Sequence, residues 1–516
     1  MRRNRAPSGA KTSSGISKSN KRRKSEKVEI DWEEDSDQEF SELDQEHESE
    51  EDKETADEKR IRLAQEYLTK LDKEVSESDS DSADEDDDPR LGVTGPGSKT
   101  EKIAKKIENE LLNKKGRLRR PIASALGALR KDKYGVFKSK WIKIDSCEKV
   151  RKPITSVVIS EAGDLAYTSL KDGSIICWDV ENMKKKYTFK SLPKSKTFKR
   201  IKEFEGHRDE VLCLALSSDG RYLASAGKEA LVYIWDTRTN KLVEKFRGHR
   251  DNINGLSFQI GTHTLLSASS DRSIRVWKVS ELAFVEELYG HQSAINSIDS
   301  LYRERGVSCS DDRSIRFWKI PEETQLVFPP AHLASIDCVK MIDEVHFFAG
   351  SQDGSLSLWH TSKKKPCGVI QNAHNGEWIT AVAALRNSDV VASGSHDGYI
   401  KLWHVDLEHR KLFEEPIGCF KVEGFVTALD FVPSGGVLSV ALSKEPRLGR
   451  WKTAPEAENK LVFIRFSPDA LKLKKEGEDD DSVDDDSEDT SEDDSEDESE
   501  DDSEDDSEDD SEDDSE

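Results

Sequence analysis

Nowhere in this sequence does an apolar run approach the ~18 residues that a membrane span needs. The opening residues, MRRNRAPSGAKTSSG, lack the apolar core of a secretory leader. No membrane partner is therefore expected. The seven cysteines show no CxxC spacing, and pairing would leave one over. They support neither a zinc site nor a disulfide framework, and read as small buried hydrophobes of a reducing compartment. GxxxxGKS/T, HExxH and GxSxG are all missing. No catalytic, nucleotide, metal or cofactor site is expected, and no small-molecule substrate.

Bases are scarce where acids are dense. Residues 478–516 hold 28 acids and no Lys or Arg, residues 31–88 hold 27 acids and 6 bases, and residues 1–30 hold 10 bases and 2 acids. Taking these pieces off the formal net charge of −26 leaves +15 on residues 89–477. A basic body between acidic ends points to a polyanionic partner for the body.

What the sequence has in quantity is a repeat. The stretch at 206–236, GHRDEVLCLALSSDGRYLASAGKEALVYIWD, returns at 248–277 and 290–318, then more loosely up to Trp359 and Trp403. A degenerate copy ends at Trp178 and another at Trp451. Trp178, Trp235, Trp277, Trp318, Trp359, Trp403 and Trp451 follow one another at nearly even steps, the first and last steps being the longest. A period of ~40–45 with a Gly-His opening and a Trp-Asp close is that of WD-repeat propeller blades. The expected fold is all-β: a seven-bladed WD-repeat β-propeller over 133–468, with an N-terminal helical extension and disordered charged tails. Within a unit the strands read as 211–216, 222–225, 231–235 and 242–246, with tight turns between them. A strand from one end must complete the last blade, and the candidates are 136–144 and 461–466.

Outside the ring, residues 1–53 read as a disordered tail, basic then acidic. Lys21, Arg22, Arg23 and Lys24 form a candidate nuclear import signal. Residues 54–75 read as an amphipathic helix: Thr55 and Glu58 make a capping box, and Ile61, Ala64, Leu68, Leu71 and Val75 form one stripe. It is expected to dock on a partner or on the propeller side. Residues 76–97 are an acidic, then Gly/Pro-rich linker. Residues 98–132 combine a helix bearing Ile103, Ile107 and Leu111 with a basic cluster that includes Arg117, Arg119 and Arg120. The stretch 182–202 has nine bases and no acid, among them Lys194, Lys196, Lys199 and Arg200, and reads as an extended basic loop. Residues 469–516 are a disordered Ser/Asp/Glu tail. Its serines lie among carboxylates and suit acidophilic kinases; each phosphate would add roughly −1.5 to −2. The tail would act as a solubilising brush or as a competitor for basic surfaces.

Two constellations recur. One is His207, Ser225 and Trp235; His249, Ser267, Asp271 and Trp277; His291, Ser308, Asp312 and Trp318; His374, Ser393, Asp397 and Trp403. It has the ingredients of a catalytic triad, but repetition argues for structure: His bridges the turn Asp and the Ser hydroxyl, which meets the indole N–H. The other is a set of cations. Arg208 and Arg250 follow Gly-His, and Lys228, Arg272 and Arg313 sit in the turn before each third strand. Both loop types emerge on one face of a propeller, so these five would line one rim and contact phosphates. With the 182–202 and 117–120 bases they are the candidate RNA-binding residues.

ETADEKRIRLAQEYL ahead of the array, with SCSDDRSIRFWK and GSQDGSLSLW inside it, resembles the WD-repeat proteins specific to the U3 small nucleolar ribonucleoprotein. That resemblance implies a nuclear, nucleolar protein that performs no reaction. It implies binding to the box B/C element of U3 small nucleolar RNA beside the kink-turn-binding core protein of box C/D particles. It also implies other small-subunit processome proteins as partners, in pre-rRNA processing toward the small-subunit rRNA. Two other readings lack RNA. Trp235-Asp236-Thr237-Arg238 fits the WDxR pattern of substrate receptors of cullin-type ubiquitin ligases, and acidic tails suit a chromatin or histone adaptor.

Overall fold

The computed structural model describes residues 119–192 and 205–467, apart from 130, 133, 134 and 139, and parts of 59–70 and 104–112. The chain divides into two units, Met1–Lys114 and Lys115–Glu516. In the first, residues 59–63 are helical, as are 110–112. Ile61, the first residue of the expected stripe, is exposed. The import signal at 21–24, Arg117, the four cations at 194–200 and the acidic tail lie outside the described residues.

The second unit is a ring of seven four-stranded antiparallel sheets. Their inner strands are Ile154–Ile159, Val211–Leu216, Ile253–Phe258, Ile295–Asp299, Ile336–Met341, Ile379–Ala384 and Phe425–Phe431. Each inner strand meets the next, and the seventh returns to the first. These strands are apolar for most of their length and largely buried on both faces. Every blade carries a bulge at the same place, early in the pairing of first and second strands. A bulge adds local twist, which suits a sheet fanning out from an axis. Seven apolar clusters fill the ring, one between each neighbouring pair of blades. No blade buries its own faces, so closure is part of stability.

Closure uses both ends. The seventh sheet runs, from the axis outward, through Phe425–Phe431, Val437–Ser443, Lys460–Phe466 and Ile142–Ser146. Ile144 pairs with Ile464 and Ser146 with Val462. Both candidate segments enter the same blade, the C-terminal one third and the N-terminal one outermost.

Three expectations need correction. Trp451 does not close blade 7: it lies in the loop 444–459, 58% exposed. In blade 2, Trp235 pairs with Leu223, the residue at that register of the second strand, and in blade 7 the equivalent pair is Leu438 and Ile464. Ile464 fills the tryptophan's place and is fully buried. The basic stretch after blade 1 is not all loop, because Lys184–Phe189 is that blade's outer strand. Lastly, residues 119–129, read as linker, pack on the ring. Ile122, just before the short helix Ala123–Gly127, and Leu126 within it join the cluster between blades 6 and 7. The Asp389 carboxylate accepts from the N–H groups of Ile122 and Ala123 at 2.7 and 3.1 Å.

Candidate nucleic-acid interface

The site is built on the repeated polar chain. In blade 3 the Trp277 indole N–H donates to Ser267 Oγ at 2.9 Å, Ser267 meets His249 Nε2 at 2.8 Å, and His249 Nδ1 meets Asp271 at 2.9 Å. An ionised Asp271 fixes the proton on Nδ1, so the chain runs one way, from indole to carboxylate. Asp271 also accepts from the N–H groups of Arg250 at 3.0 Å and Ser273 at 2.9 Å. Burial opposes its charge, but the bonds from His249, Arg250 and Ser273 outweigh it and hold the carboxyl well below the usual range. Blade 4 repeats this through Trp318, Ser308, His291 and Asp312 at 2.8, 2.7 and 2.9 Å. Blade 6 does so through Trp403, Ser393, His374 and Asp397 at 2.8, 2.6 and 2.8 Å.

Blade 2 substitutes Glu229 for the aspartate. Trp235 and His207 meet Ser225 at 2.8 and 2.7 Å. The longer carboxylate reaches the Asp209 N–H at 3.0 Å and the Tyr233 hydroxyl at 2.8 Å. Against its burial, bonds from His207, Asp209 and Tyr233 bring its pKa down to about 2. Blade 5 holds a network that the repeat pattern missed. Ala349 stands at the serine's register, opposite Ser357. Ser357, two residues before Trp359, takes the indole at 2.8 Å and His332 at 2.7 Å instead. His332 then reaches Asp353 through Ser355. The signal was available: a Ser two before the Trp where the usual Ser is Ala. Blade 1 keeps only Trp178 on Thr168, at 2.8 Å.

The carboxylates therefore point inward and tie two loops together on one face. In blades 2 to 6 the loop before the first strand and the turn before the third strand both hang from the same Asp or Glu. Arg208, Arg250, Arg272, Arg313 and Lys228 are all exposed on that face. Lys228 pairs with Glu210 at 2.8 Å. The four arginines form no ion pair with another described residue. Asp251 and Asp311 are exposed beside them, the latter taking the Asn296 amide at 2.7 Å.

Arg272 and Arg313 hold left-handed backbone, φ 71° and 62°, where blades 1, 5 and 6 place Gly173, Gly354 and Gly398. A side chain there costs about 1 kcal/mol relative to glycine's freedom. Ala230 holds similar left-handed backbone, φ 54°, in the corresponding turn of blade 2.

Arg119 and Arg120 lie on the opposite face, among the turns between first and second strands. Arg119 pairs with Asp343 at 3.3 Å. Arg120 donates to the carbonyls of Ser434, at 3.0 Å, and Pro433. Both hold the 119–129 segment to the ring and do not extend the arginine set.

The loop 444–459 crosses the arginine face from blade 7 toward blades 1 and 6. Lys171 anchors it by donating to the Gly449 carbonyl at 2.8 Å and pairing with Glu445 at 3.3 Å. Lys452 reaches Glu377 at 2.9 Å. Arg447 donates to the Asn254 carbonyl and lies against a central cavity of about 190 Å³, near Asp337, whose pKa burial raises to about 6. Trp451 tilts against Trp378 at 5.6 Å and stays open to solvent, as do Leu448 and Leu333. One face thus has a cationic arc on blades 2–4 and an aromatic, apolar sector on blades 5–7. Among the described residues no group of His, Cys, Asp and Glu is placed to hold a metal ion.

The family model described as "WD domain, G-beta repeat" matches residues 198–236, 240–278, 283–319 and 365–404. These fall on blades 2, 3, 4 and 6, the four whose His–Ser–Trp chain uses a serine of the second strand. The chain is 36% identical to human U3 small nucleolar RNA-interacting protein 2, over 80% of this chain and 82% of that protein. It is 32% identical to the U3 snoRNP-associated protein-like EMB2271 of Arabidopsis thaliana, over 80% and 85%. A solved structure titled "Structure of U3-55K" superposes with a TM-score of 0.59 at 39% identity, covering 62% of this chain and 98% of that one.

Proposed function

The chain belongs to the family of U3 snoRNP-associated WD-repeat proteins, and from that premise we propose that it is a non-catalytic component of the U3 box C/D particle and the small-subunit processome. In this reading it binds the box B/C element of U3 small nucleolar RNA together with the kink-turn-binding core protein. It acts in the nucleolus, in pre-rRNA processing toward the small-subunit rRNA.

The observation that carries this reading is the arc of Arg208, Arg250, Arg272 and Arg313, four cations on one face without an intramolecular ion pair among the described residues. Guanidinium groups match phosphate oxygens in a bidentate way. Several held at fixed positions by rigid turns would set the register of a folded RNA. Trp451, exposed on the same face, offers a ring on which an unpaired base can stack. The His, Ser and Asp or Glu side chains of blades 2 to 6 are occupied in holding the turns, which leaves them no chemistry to perform.

The test is sequencing of RNA crosslinked to the protein purified from nuclei, before and after replacing the four arginines with glutamate. U3 RNA should dominate for the native protein and drop at least ~10-fold for the variant, since each lost phosphate contact removes a counterion-release contribution. Recovery of a protein complex that is untouched by RNase and lacks U3 RNA would overturn the reading.

A further inference from the structure

The face that carries the arginines has a second polyanion within reach, and it belongs to the same chain. We propose that residues 478–516 occupy the Arg208–Arg250–Arg272–Arg313 arc when RNA is absent, so that RNA must displace the protein's own tail. Occupancy stands by itself; competition rests on the RNA-binding reading above.

Charge gives the first argument. The segment 478–516 has 28 acids and no Lys or Arg. The arc presents four guanidinium groups without an ion pair among described residues, while Glu229, Asp271 and Asp312 beneath them are turned inward onto histidines and backbone N–H groups. Those three carboxylates stay ionised, and with Glu205, Asp209, Asp251 and Asp311 they offset part of the charge, while the four guanidinium groups remain exposed and without an ion pair among the described residues.

Reach gives the second. The third strand of blade 7 ends at Phe466, on the face opposite the arc. Strands of this kind stand ~20 Å tall at ~3.3 Å per residue. The stretch 468–477 spans up to ~33–36 Å when extended, and 478–516 more than about 100 Å. The tail can round the rim and lie across blades 2–4. Linkage within one chain presents the acidic segment at an effective concentration of about 1 mM. An interaction too weak to matter between separate molecules is then populated within one.

Sequence gives the third. From Ser491 the tail repeats Ser-Glu-Asp-Asp and close variants in tandem. Any register brings carboxylates to the arc, so no single docked conformation has to form and little ordering entropy is lost. Arginines spread over three neighbouring blades suit such a ligand as well as they suit a phosphate backbone.

The experiment uses a fluorescent peptide of residues 478–516 and the protein ending at Gly477, in which the ring is already complete at Phe466. Without RNA, at about 50 mM salt, the peptide should bind saturably by anisotropy, and binding should vanish near 1 M salt, where the Debye length is ~3 Å. R208E/R250E/R272E/R313E should weaken it at least ~10-fold. Arg272→Gly with Arg313→Gly should weaken it too, and those replacements relax left-handed backbone, so loss of fold cannot account for the result. In the full chain, carbodiimide should couple a tail carboxylate to Lys228. Equal peptide binding by native and variant rings would mean that the tail sits on other cations, such as residues 1–30, and would overturn the proposal; so would no binding at all. Truncation should raise the affinity for box B/C RNA about 10-fold at low salt and leave it unchanged near 1 M, where charge is screened. If the peptide binds the arc while truncation leaves RNA affinity unchanged at every salt, the RNA reading of the arc fails and the tail's occupancy of it stands.

Discussion

Blades 2, 3, 4 and 6 each carry one buried polar chain from indole to turn carboxylate through a serine of the second strand, blade 5 reroutes that chain through Ser357 and Ser355, and blades 1 and 7 keep the same four strands without it. The backbone barely registers the change: all seven sheets have the same strand order outward from the axis and the same early bulge. The polar chain is therefore not what makes a blade. It fixes two loops to each other on one face, and the exposed arginines of blades 2–4 ride on those loops. Blades 5 and 7 give up the standard form where the ring receives extra segments. Blade 7 takes the outer strand Ile142–Ser146 and sends out loop 444–459; blade 5 takes Arg119 on Asp343.

The comparison can be broken most severely in a regular blade. Ser267→Ala strands the Trp277 N–H and His249 Nε2 together, and should cost about 3 kcal/mol, read as a lower urea midpoint with unchanged slope. A loss under ~1 kcal/mol would mean that the chain is ornamental. The converse change is Val440→Ser in blade 7, which places a hydroxyl at the serine's register opposite an apolar site. It should cost about 2 kcal/mol by stranding that group, and a gain in stability would show that blade 7 tolerates the regular pattern after all.

Acid should separate the two groups next. Burial lowers the pKa of His207, His291 and His332, and that of His396 to about 4. A base held below its unfolded value is less protonated folded than unfolded. Its contribution is thus complete above ~6.5 and fades as pH drops toward the folded value. Glu229, lowered to about 2, adds a loss of the same sign further down. Hydrogen exchange should show blades 2 and 4 opening as pH falls from 7 to 5 while blade 7 holds. His396→Phe, packed between Trp378 and Phe425, should flatten the global slope; an identical slope would exclude His396 from it. The smallest effect is a gain. Arg313→Gly should stabilise blade 4 by about 0.5–1 kcal/mol through relief of left-handed backbone, visible as a slightly higher Tm.

The division also explains what could be read from the letters. Strand limits in blade 2 matched almost residue for residue, because Gly-His, Ser-Asp-Gly and Trp-Asp are local signals whose physics lies within a few residues. Blade 7 misled because its tryptophan position is Ile464, and a tryptophan happens to lie in the loop that precedes that strand. Nothing local marks Trp451 as exposed; only the pairing of 460–466 with Ile142–Ser146 leaves it outside. The His332–Ser357 chain was hidden by a register change of its serine. Arg119 and Arg120 attach to turns at Asp343 and Ser434, remote in sequence, and that attachment is a product of the closed ring. A run of basic letters does not distinguish it from a free patch. The arginine arc was legible for the opposite reason: a period places equivalent residues on one face without any further knowledge.

The seventh sheet joins the first strand of the ring to the last one. Residues 142–146 leave the ribosome more than three hundred positions ahead of their partner at 460–466. At ~5–20 residues per second, that interval is on the order of tens of seconds. Throughout it the nascent ring is an open crescent with two bare ends, each showing apolar side chains and unsatisfied amide groups to the cytosol. Chaperones that cover such edges during synthesis, and any circular permutation that moves the seam elsewhere, would act on this vulnerable window.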